Sequence, residues 1–182
     1  MIVMKFGGTS VQDAQAIDRV AAIVRERLHE RPVVVVSALA KITDQLLAMA
    51  NAAGSGNREK ALALSRAARE RHYNCASDLL GTHAFEQIAP ELESDFDGLD
   101  ELLRGVVAVG ELTPRTTDTI SGFGERVSSK IAAAAQRGGN AFLGGGDEAA
   151  HHRHELPLEQ RFDSLLQALI CFFKMRDGLA EG

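Results

Sequence analysis

The pattern of apolar and polar residues at the start of the chain predicts a strand, a helix and a second strand. Ile2–Phe6 is a short apolar run of the β type, and apolar residues then recur at helical spacing over 11–28. Ser10 is the predicted N-cap of this helix, and Asp13 supports its first turn. The four valines that follow Pro32 indicate a strand buried on both faces, as in a parallel sheet covered by helices. This order predicts a βαβ unit.

The pattern of the following residues is mainly helical. Thr43 begins a helix that ends near 54–56, and two long helical patterns follow at 58–80 and 85–109. The second of these has a single apolar stripe, which consists of Leu92, Phe96, Leu99, Leu102, Leu103 and Val106. Residues 114–118 break the pattern, 124–137 predict an alanine-rich helix, and 140–143 predict the start of a third strand. No internal repeat or linker indicates a second domain.

Size and composition are those of one ordinary domain or a large part of one. The chain has 182 residues, 45% of them apolar, and a formal net charge of −5. The negative charge argues against a general nucleic-acid binder, which would have a basic face. Cys75 and Cys171 have no metal or redox spacing, so we expect free thiols in a reducing compartment. With no visible export signal and no long apolar run, the expected location is the cytoplasm.

The first candidate site is the end of the first predicted strand. Lys5 lies near this end and is followed by Gly7 and Gly8. A strand would hold the ammonium group in place, and residues without Cβ let backbone N–H groups approach an anion. The segment is not a Walker A loop, because its lysine precedes the glycines. Taken alone, it is compatible with a phosphate site and equally with a strand followed by a turn.

Two further segments contain candidate groups for binding a small polar substrate. Ser37 follows the second predicted strand, at the edge where doubly wound sheets bind ligands, and Thr43 begins the next helix beside it. The structural alternatives are that Ser37 only ends a strand and that Thr43 is only an N-cap. Gly124 and Glu125 place a carboxylate in the first turn of a helix. This carboxylate either clamps an ammonium group of a substrate or only complements the helix dipole.

The order and spacing of the three segments resemble aspartate kinase. The matching motifs are Lys-Phe-Gly-Gly-Thr-Ser at 5–10, Val-Val-Val-Val-Ser-Ala-x-Ala with Ile-Thr-Asp-x-Leu-Leu at 33–47, and Gly-Glu-Arg-x-Ser-Ser at 124–129. The resemblance covers about 1–143. It implies the α/β fold of the amino-acid kinase superfamily, a three-layer αβα fold with a mainly parallel sheet, here incomplete. Aspartate kinases phosphorylate the side-chain carboxylate of aspartate with MgATP, the first step towards lysine, threonine and methionine.

For the nucleotide, the resemblance implies roles for three residues. Lys5 is the expected catalytic residue and would neutralise charge on the transferred phosphoryl group, while Gly7 and Gly8 would approach the nucleotide phosphates. ATP with Mg²⁺ is then a co-substrate, and no tightly bound cofactor or resident metal is expected. The expected partners are the two substrates, L-aspartate and ATP, with no nucleic acid and no membrane.

For aspartate, the resemblance implies Ser37, Thr43 and Glu125, with Glu125 opposite the amino group. The attacking carboxylate is already ionised, so the transfer needs positioning and electrostatic stabilisation more than a general base. Lys41 departs from the family, which often has glycine at this position. We expect it to be a solvated loop lysine.

The family pattern ends near Phe142. There the family continues with a strand and a segment like Val-Asp-Ala-Arg, whereas this chain continues with a glycine run and a histidine-rich stretch. A one-base shift of reading frame near Leu143 would let the same codons spell Trp-Val-Glu-Ala-Thr-Arg, close to the family pattern. We therefore divide the chain into an N-terminal, aspartate-binding part at 1–143 and a divergent tail at 144–182 that we expect to be frameshift-derived. Resequencing the gene across codons 142–146 tests this expectation.

The resemblance leaves several functions open. The family's later nucleotide-binding segment and its regulatory domains are missing, so we expect an inactive or impaired aspartate kinase fragment. The alternatives are another amino-acid kinase, a non-catalytic partner of an intact kinase chain, and a product that folds poorly; a homo-oligomer is also compatible. For the tail, the alternative is a metal site at His151, His152 and His154, since these imidazoles are closely spaced.

Overall fold

The computed structural model describes residues 1–142, with 138–142 described by their backbone alone. Its elements in chain order are β1 (Ile2–Phe6), α1 (Ala14–Glu26), β2 (Pro32–Val36), α2 (Ile42–Gly54), α3 (Arg58–Leu79), α4 (Thr82–Val109), α5 (Pro114–Ser121) and α6 (Phe123–Phe142). Short 3-10 helices at Gly8–Val11 and Leu28–Glu30 flank α1. Leu143 and the tail at 144–182, with His151, His152 and His154, lie outside the described residues.

β1 and β2 form a parallel two-stranded sheet, which confirms the predicted βαβ unit. The register runs from Ile2 opposite Pro32 to Phe6 opposite Val36. Residues of β1 alternate between half-buried and exposed, and Val3 is 69% exposed. One face of β1 therefore packs against the core, and α1 makes the crossover to β2 with a buried apolar face of its own.

The expected burial of β2 on both faces is only partly right. Val35 and Val36 are buried, whereas Pro32, Val33 and Val34 are half-buried. Full burial of a parallel strand requires helices over both faces and strands on both sides. The sheet of the described residues has two strands, so only the end of β2 that enters the core is covered.

The start of α1 differs from the prediction. Asp13 is the N-cap, and its carboxylate accepts a hydrogen bond of 2.8 Å from the Ala16 N–H. Ser10 lies instead in the preceding 3-10 helix, where its N–H donates to the Gly7 carbonyl, so the prediction of Ser10 as the N-cap is wrong. Asp13 caps as well as serine does, and its charge also complements the helix dipole.

Two other segments are helical where the sequence predicted otherwise. Residues 114–118 form most of α5. Pro114 is compatible with this helix because it lies in the first turn, where N–H groups have no acceptor within the helix, so its lack of an N–H removes no helical hydrogen bond. Thr113 caps this helix by accepting a hydrogen bond of 3.2 Å from the Thr116 N–H. The third strand predicted at 140–143 is wrong for 140–142, which continue α6. A helix satisfies its backbone hydrogen bonds within one segment, whereas a strand needs a neighbour to pair with.

The core lies between α2, α3, α4 and α6. The predicted stripe of α4 is confirmed, since its residues are buried except for the half-buried Leu102. Phe96 of α4 packs edge-on against Phe123 of α6, with ring centroids 5.0 Å apart, and against His72 of α3, at 5.5 Å. These three rings join three helices and hold the start of α6 in place.

Two observations bear on the environment of the chain. Cys75 is a buried free thiol, and burial raises its pKa to about 11, which suppresses thiolate chemistry. Within 1–142, no helix is both long and apolar enough to cross a membrane.

His72 is a fully buried polar side chain in this core. Its Nδ1 lies 2.7 Å from the Ala68 carbonyl oxygen, and its Nε2 has no hydrogen-bond partner among the described residues. Nδ1 therefore carries the proton and donates, while Nε2 stays unprotonated. Burial lowers the pKa of His72 to about 4, although the Ala68 carbonyl opposes this effect. Protonation at Nε2 would place an unpaired charge among apolar side chains.

We expect His72 to make the stability of the fold depend on pH. The unfolded chain binds a proton on this residue below about 6.5 and the folded chain only near 4, so stability falls as the pH drops between these values. The full loss corresponds to about 3 kcal/mol. Urea unfolding followed by circular dichroism between pH 4 and 7 should show this slope in the wild type and its loss in His72→Leu. The exposed His83→Leu is the matched control, and identical slopes in His72→Leu and the wild type would contradict the prediction.

Candidate functional site

The start of α6 lies unusually close to α2 and to the loop at 37–41. A Cβ atom on Gly124 would lie 2.7 Å from the Ala38 Cβ, 3.0 Å from the Ile42 Cγ2 and 3.3 Å from the Leu46 Cδ1. Any side chain at position 124 would therefore push the two helices apart. The close approach also brings the next residue, Glu125, to the loop.

The loop at 37–41 is held from two sides. Ser37 N–H donates to the Phe6 carbonyl at 3.0 Å, which extends the pairing of the strands by one residue. Leu39 N–H donates to the buried Ser128 hydroxyl of α6 at 3.1 Å. The chain then enters α2 through a hydrogen bond of 3.0 Å from the Ile42 N–H to the Leu39 carbonyl. Ser37 is thus fixed at the carboxyl end of β2, as the sequence predicted.

Lys41, and not Thr43, precedes the first residue of α2. The backbone of Lys41 is left-handed, with φ 66° and ψ 1°, and its side chain is exposed, as expected for a loop lysine. Thr43 lies one residue inside the helix and is half-buried, so the structural alternative, in which Thr43 is only the N-cap, is wrong. A left-handed backbone costs a residue with a side chain about 1–2 kcal/mol, which explains why glycine suits position 41.

The end of β1 borders the same loop. A Cβ on Gly8 would lie 3.5 Å from the Ala38 carbonyl oxygen, and a Cβ on Gly7 would meet no atom within 4 Å. Gly7 has an ordinary φ of −75°, so neither its backbone nor the packing of the described residues requires glycine there. Lys5 is exposed and forms no ion pair or side-chain hydrogen bond with the described residues. This corner thus combines an exposed lysine on β1 with open space at the glycine that follows the strand.

Glu125 is a buried acid that no described cation neutralises. It is 9% exposed; burial raises the pKa of its carboxyl, and the backbone N–H groups of Glu125 and Ala38 oppose that rise. The neighbouring Arg126 interacts elsewhere, since its guanidinium lies over the Phe123 ring at 5.0 Å and its Nε lies 3.9 Å from Asp95. A buried carboxylate that no cation of the described residues neutralises is suited to bind a cationic ligand.

The structure thus brings the three sequence segments together at one loop. Gly8 of the first segment borders the loop, and Ser37 of the second lies on it. Thr43 lies in the helix that follows the loop, and Glu125 of the third segment lies on the helix packed against it. Sequence reasoning missed Ser128. It belongs to the third motif and lies three residues after Glu125, on the same face of the helix. This spacing was the signal in the sequence that could have identified it.

No metal site is visible at this place or elsewhere in the described residues. Among them, no group of three or more His, Cys, Asp or Glu side chains is placed to hold a metal ion. A groove of about 620 Å³ lies between α1, β2, α4 and α6, but none of the candidate residues Lys5, Ser37, Thr43 and Glu125 lines it. We therefore assign the candidate site from the contacts of the loop, and not from this groove.

Comparison with known families and proteins identifies similar sequences. The chain matches the family model described as the Amino acid kinase family over residues 1–153. It is 40% identical over 135 residues to Aspartokinase 3, chloroplastic, and 37% identical over 135 residues to Aspartokinase 2, chloroplastic, both of Arabidopsis thaliana. Each match covers 72% of this chain, and 23% and 24% of the two relatives respectively.

Comparison with solved structures identifies a similar fold. The chain matches E. coli aspartokinase III in complex with aspartate and ADP, with a TM-score of 0.65 and 28% sequence identity. The match covers 77% of this chain and 29% of that chain. The structure of the same protein in complex with lysine and aspartate gives the same values. The chain therefore has the amino-acid kinase fold over a part of the length of these relatives.

Gly124→Ala is expected to destabilise the chain. The added methyl group would overlap Ala38 and Ile42, which costs about 1–3 kcal/mol, while the higher helix propensity of alanine offsets about 1 kcal/mol. The free energy of unfolding, measured by urea denaturation, should therefore fall by up to about 2 kcal/mol. The matched control is Gly98→Ala in α4, where a Cβ meets no atom within 4 Å and stability should rise by up to about 1 kcal/mol. A similar rise in the stability of Gly124→Ala would contradict the close approach of α6 to α2.

Proposed function

The chain belongs to the amino acid kinase family, and we propose that it is the aspartate-binding part of an aspartate kinase. The proposed reaction of the whole enzyme is transfer of the γ-phosphoryl group of MgATP to the side-chain carboxylate of L-aspartate. The observation that carries the proposal is the buried Glu125 carboxylate beside the loop at 37–41, which no cation among the described residues neutralises. The similarity to aspartokinases supports the identity of the substrate.

Glu125 is proposed to bind the α-ammonium group of aspartate. Because burial raises its pKa, the ionised carboxylate is less stable in the ligand-free chain than an exposed one would be. An ammonium group beside it would stabilise the ionised form and would itself replace water contacts with a charge-assisted hydrogen bond. The site therefore favours an amino acid over a dicarboxylate that has no amino group.

Ser37 and Thr43 are proposed to bind the carboxylate groups of aspartate. Both hydroxyls can donate to a carboxylate oxygen, and both side chains are half-buried next to the loop. Thr43 lies in the first turn of α2, where the helix dipole favours an anion. An acidic amino acid would thus meet a carboxylate on one side and donors on the other.

Lys5, Gly7 and Gly8 are proposed to face the phosphates of ATP. The Lys5 ammonium is free of protein partners among the described residues and would neutralise charge on the transferred phosphoryl group. The open space at Gly7 lets phosphate oxygens approach the backbone. ATP would enter with Mg²⁺ as its counterion, and transfer would depend on positioning.

The extent of the match limits the activity proposed for this polypeptide. We propose that 1–143 form the N-terminal, aspartate-binding part and that 144–182 are a divergent tail. The match spans 23% and 24% of the two Arabidopsis relatives, so most of a whole aspartokinase lies outside it. We therefore propose aspartate binding with little or no phosphoryl transfer. A reducing, cytoplasmic location suits the buried Cys75 thiol.

Aspartate binding depends on Glu125 under this proposal. Isothermal titration calorimetry at neutral pH should detect L-aspartate binding to the wild type, at least about tenfold weaker binding to Glu125→Gln, and unchanged binding to the exposed control Glu86→Gln. Affinity in the wild type should fall as the pH decreases through the raised pKa of Glu125, because the protonated acid does not pair with an ammonium group. No binding to the wild type, or equal binding to wild type and Glu125→Gln, would overturn the proposal. Tighter binding of L-glutamate than of L-aspartate would favour the alternative that the chain is part of another amino-acid kinase.

Glu125→Gln is also expected to stabilise the ligand-free chain. The raised folded pKa means that the stability contributed by the protonated Glu125 is lost as the pH rises through that value. Glutamine has no charge to bury, so its stability advantage over the wild type should increase from pH 4 to pH 7. Urea unfolding at both pH values measures this difference. A destabilised variant at neutral pH would contradict the description of Glu125 as an unneutralised buried acid.

Phosphoryl transfer by the chain alone is expected to be weak or absent. A hydroxamate assay for ATP-dependent formation of aspartyl phosphate, with an intact aspartate kinase as the positive control, measures this activity. Turnover near that of the intact enzyme would contradict the expectation, and its loss in Lys5→Ala would then assign the activity to the proposed site.

A further inference from the structure

α6 is fastened to the loop at 37–41 by a buried hydrogen bond as well as by close packing. The Ser128 hydroxyl oxygen accepts from the Leu39 N–H at 3.1 Å, across 89 positions of sequence. Ser128 is 1% exposed and Leu39 is also 1% exposed, so water does not compete for this bond. Without the hydroxyl, the Leu39 N–H would be a buried donor with no partner, a state that proteins avoid.

The next residue in the helix shows that this contact is specific to Ser128. Ser129 bonds within its own helix, where its hydroxyl donates to the Arg126 carbonyl at 2.8 Å, which is the common behaviour of serine in a helix. Ser128 instead accepts from a distant loop. The two adjacent serines therefore have the same chemistry and different hydrogen-bond partners, which provides a matched pair for experiment.

The position of Ser128 links the groups that are proposed to bind aspartate. It lies three residues after Glu125, and residues at this spacing share one face of a helix. Leu39, its partner, lies two residues after Ser37 and four before Thr43. One hydrogen bond thus fixes the helix that carries the Glu125 carboxylate relative to the loop that carries Ser37 and leads into the helix of Thr43.

We propose that Ser128 is a positioning residue for substrate binding, which holds Ser37 and Thr43 at the correct distance from Glu125. This inference rests on the proposed function of the Glu125 site. Ser128 does not itself need to touch the ligand, because it acts through the Leu39 N–H. Loss of the hydroxyl would free the loop, and aspartate would then have to order it on binding.

The test compares Ser128→Ala with Ser129→Ala and with Ser128→Thr, which retains a hydroxyl. Two quantities are measured at a temperature where each variant is fully folded: amide hydrogen exchange at Leu39, and the Kd for L-aspartate by calorimetry. Ser128→Ala should accelerate exchange at Leu39 and weaken aspartate binding by about tenfold. Ser129→Ala should change neither quantity, and Ser128→Thr should restore at least part of both. If Ser128→Ala does not fold, Ser128→Cys, which has a weak acceptor of similar size, replaces it with the same criteria.

The outcomes separate this inference from the proposed function. Faster exchange at Leu39 together with an unchanged Kd in Ser128→Ala would overturn the positioning role and leave aspartate binding intact. An equal loss of affinity in Ser128→Ala and Ser129→Ala would also overturn it, since the effect would then be general to the helix. Absence of aspartate binding in the wild type would overturn the proposed function itself, together with the role inferred for Ser128.

Discussion

The close approach of α6 to α2 at Gly124 is the contact on which the candidate site depends. It requires a residue without a side chain, because a Cβ would lie only 2.7 Å from the Ala38 Cβ. The residue before it, Phe123, packs on Phe96 in the core, and the residue after it, Glu125, reaches the loop at 37–41. The helical packing of the interior thereby sets the position of the acid at the site.

The candidate site contains features that are unfavourable for stability and that would favour ligand binding. The Glu125 carboxyl is buried without a cation among the described residues, and Lys41 has a left-handed backbone at the end of the same loop. Contacts between the helices stabilise the fold around it. Arg69 of α3 pairs with Asp97 of α4 at 2.9 Å, and Lys130 of α6 pairs with Asp95 of α4 at 2.6 Å. A rigid scaffold can thus hold a strained loop in place.

Sequence patterns predicted the elements well where the signal is local. The strand–helix–strand order and the α4 stripe are confirmed, because apolar periodicity reports directly which face of an element is buried. Boundaries were less predictable, as Asp13 rather than Ser10 caps α1 and Lys41 rather than Thr43 precedes α2. Several residues near a helix start are acceptable caps, and the choice among them depends on the path of the chain that enters the helix.

The sequence by itself determined which segments are candidates for a binding site: the glycines after β1, the serine after β2, and the Gly-Glu pair that begins α6. Only the tertiary structure decided that Gly124 is required by packing, that Glu125 is buried without a neutralising cation among the described residues, and that Ser128 rather than Ser129 bonds the loop. The reason is physical. Residue type and spacing report local preferences, whereas these three properties arise from contacts between residues far apart in the chain, and burial and hydrogen-bond partners exist only once those residues meet.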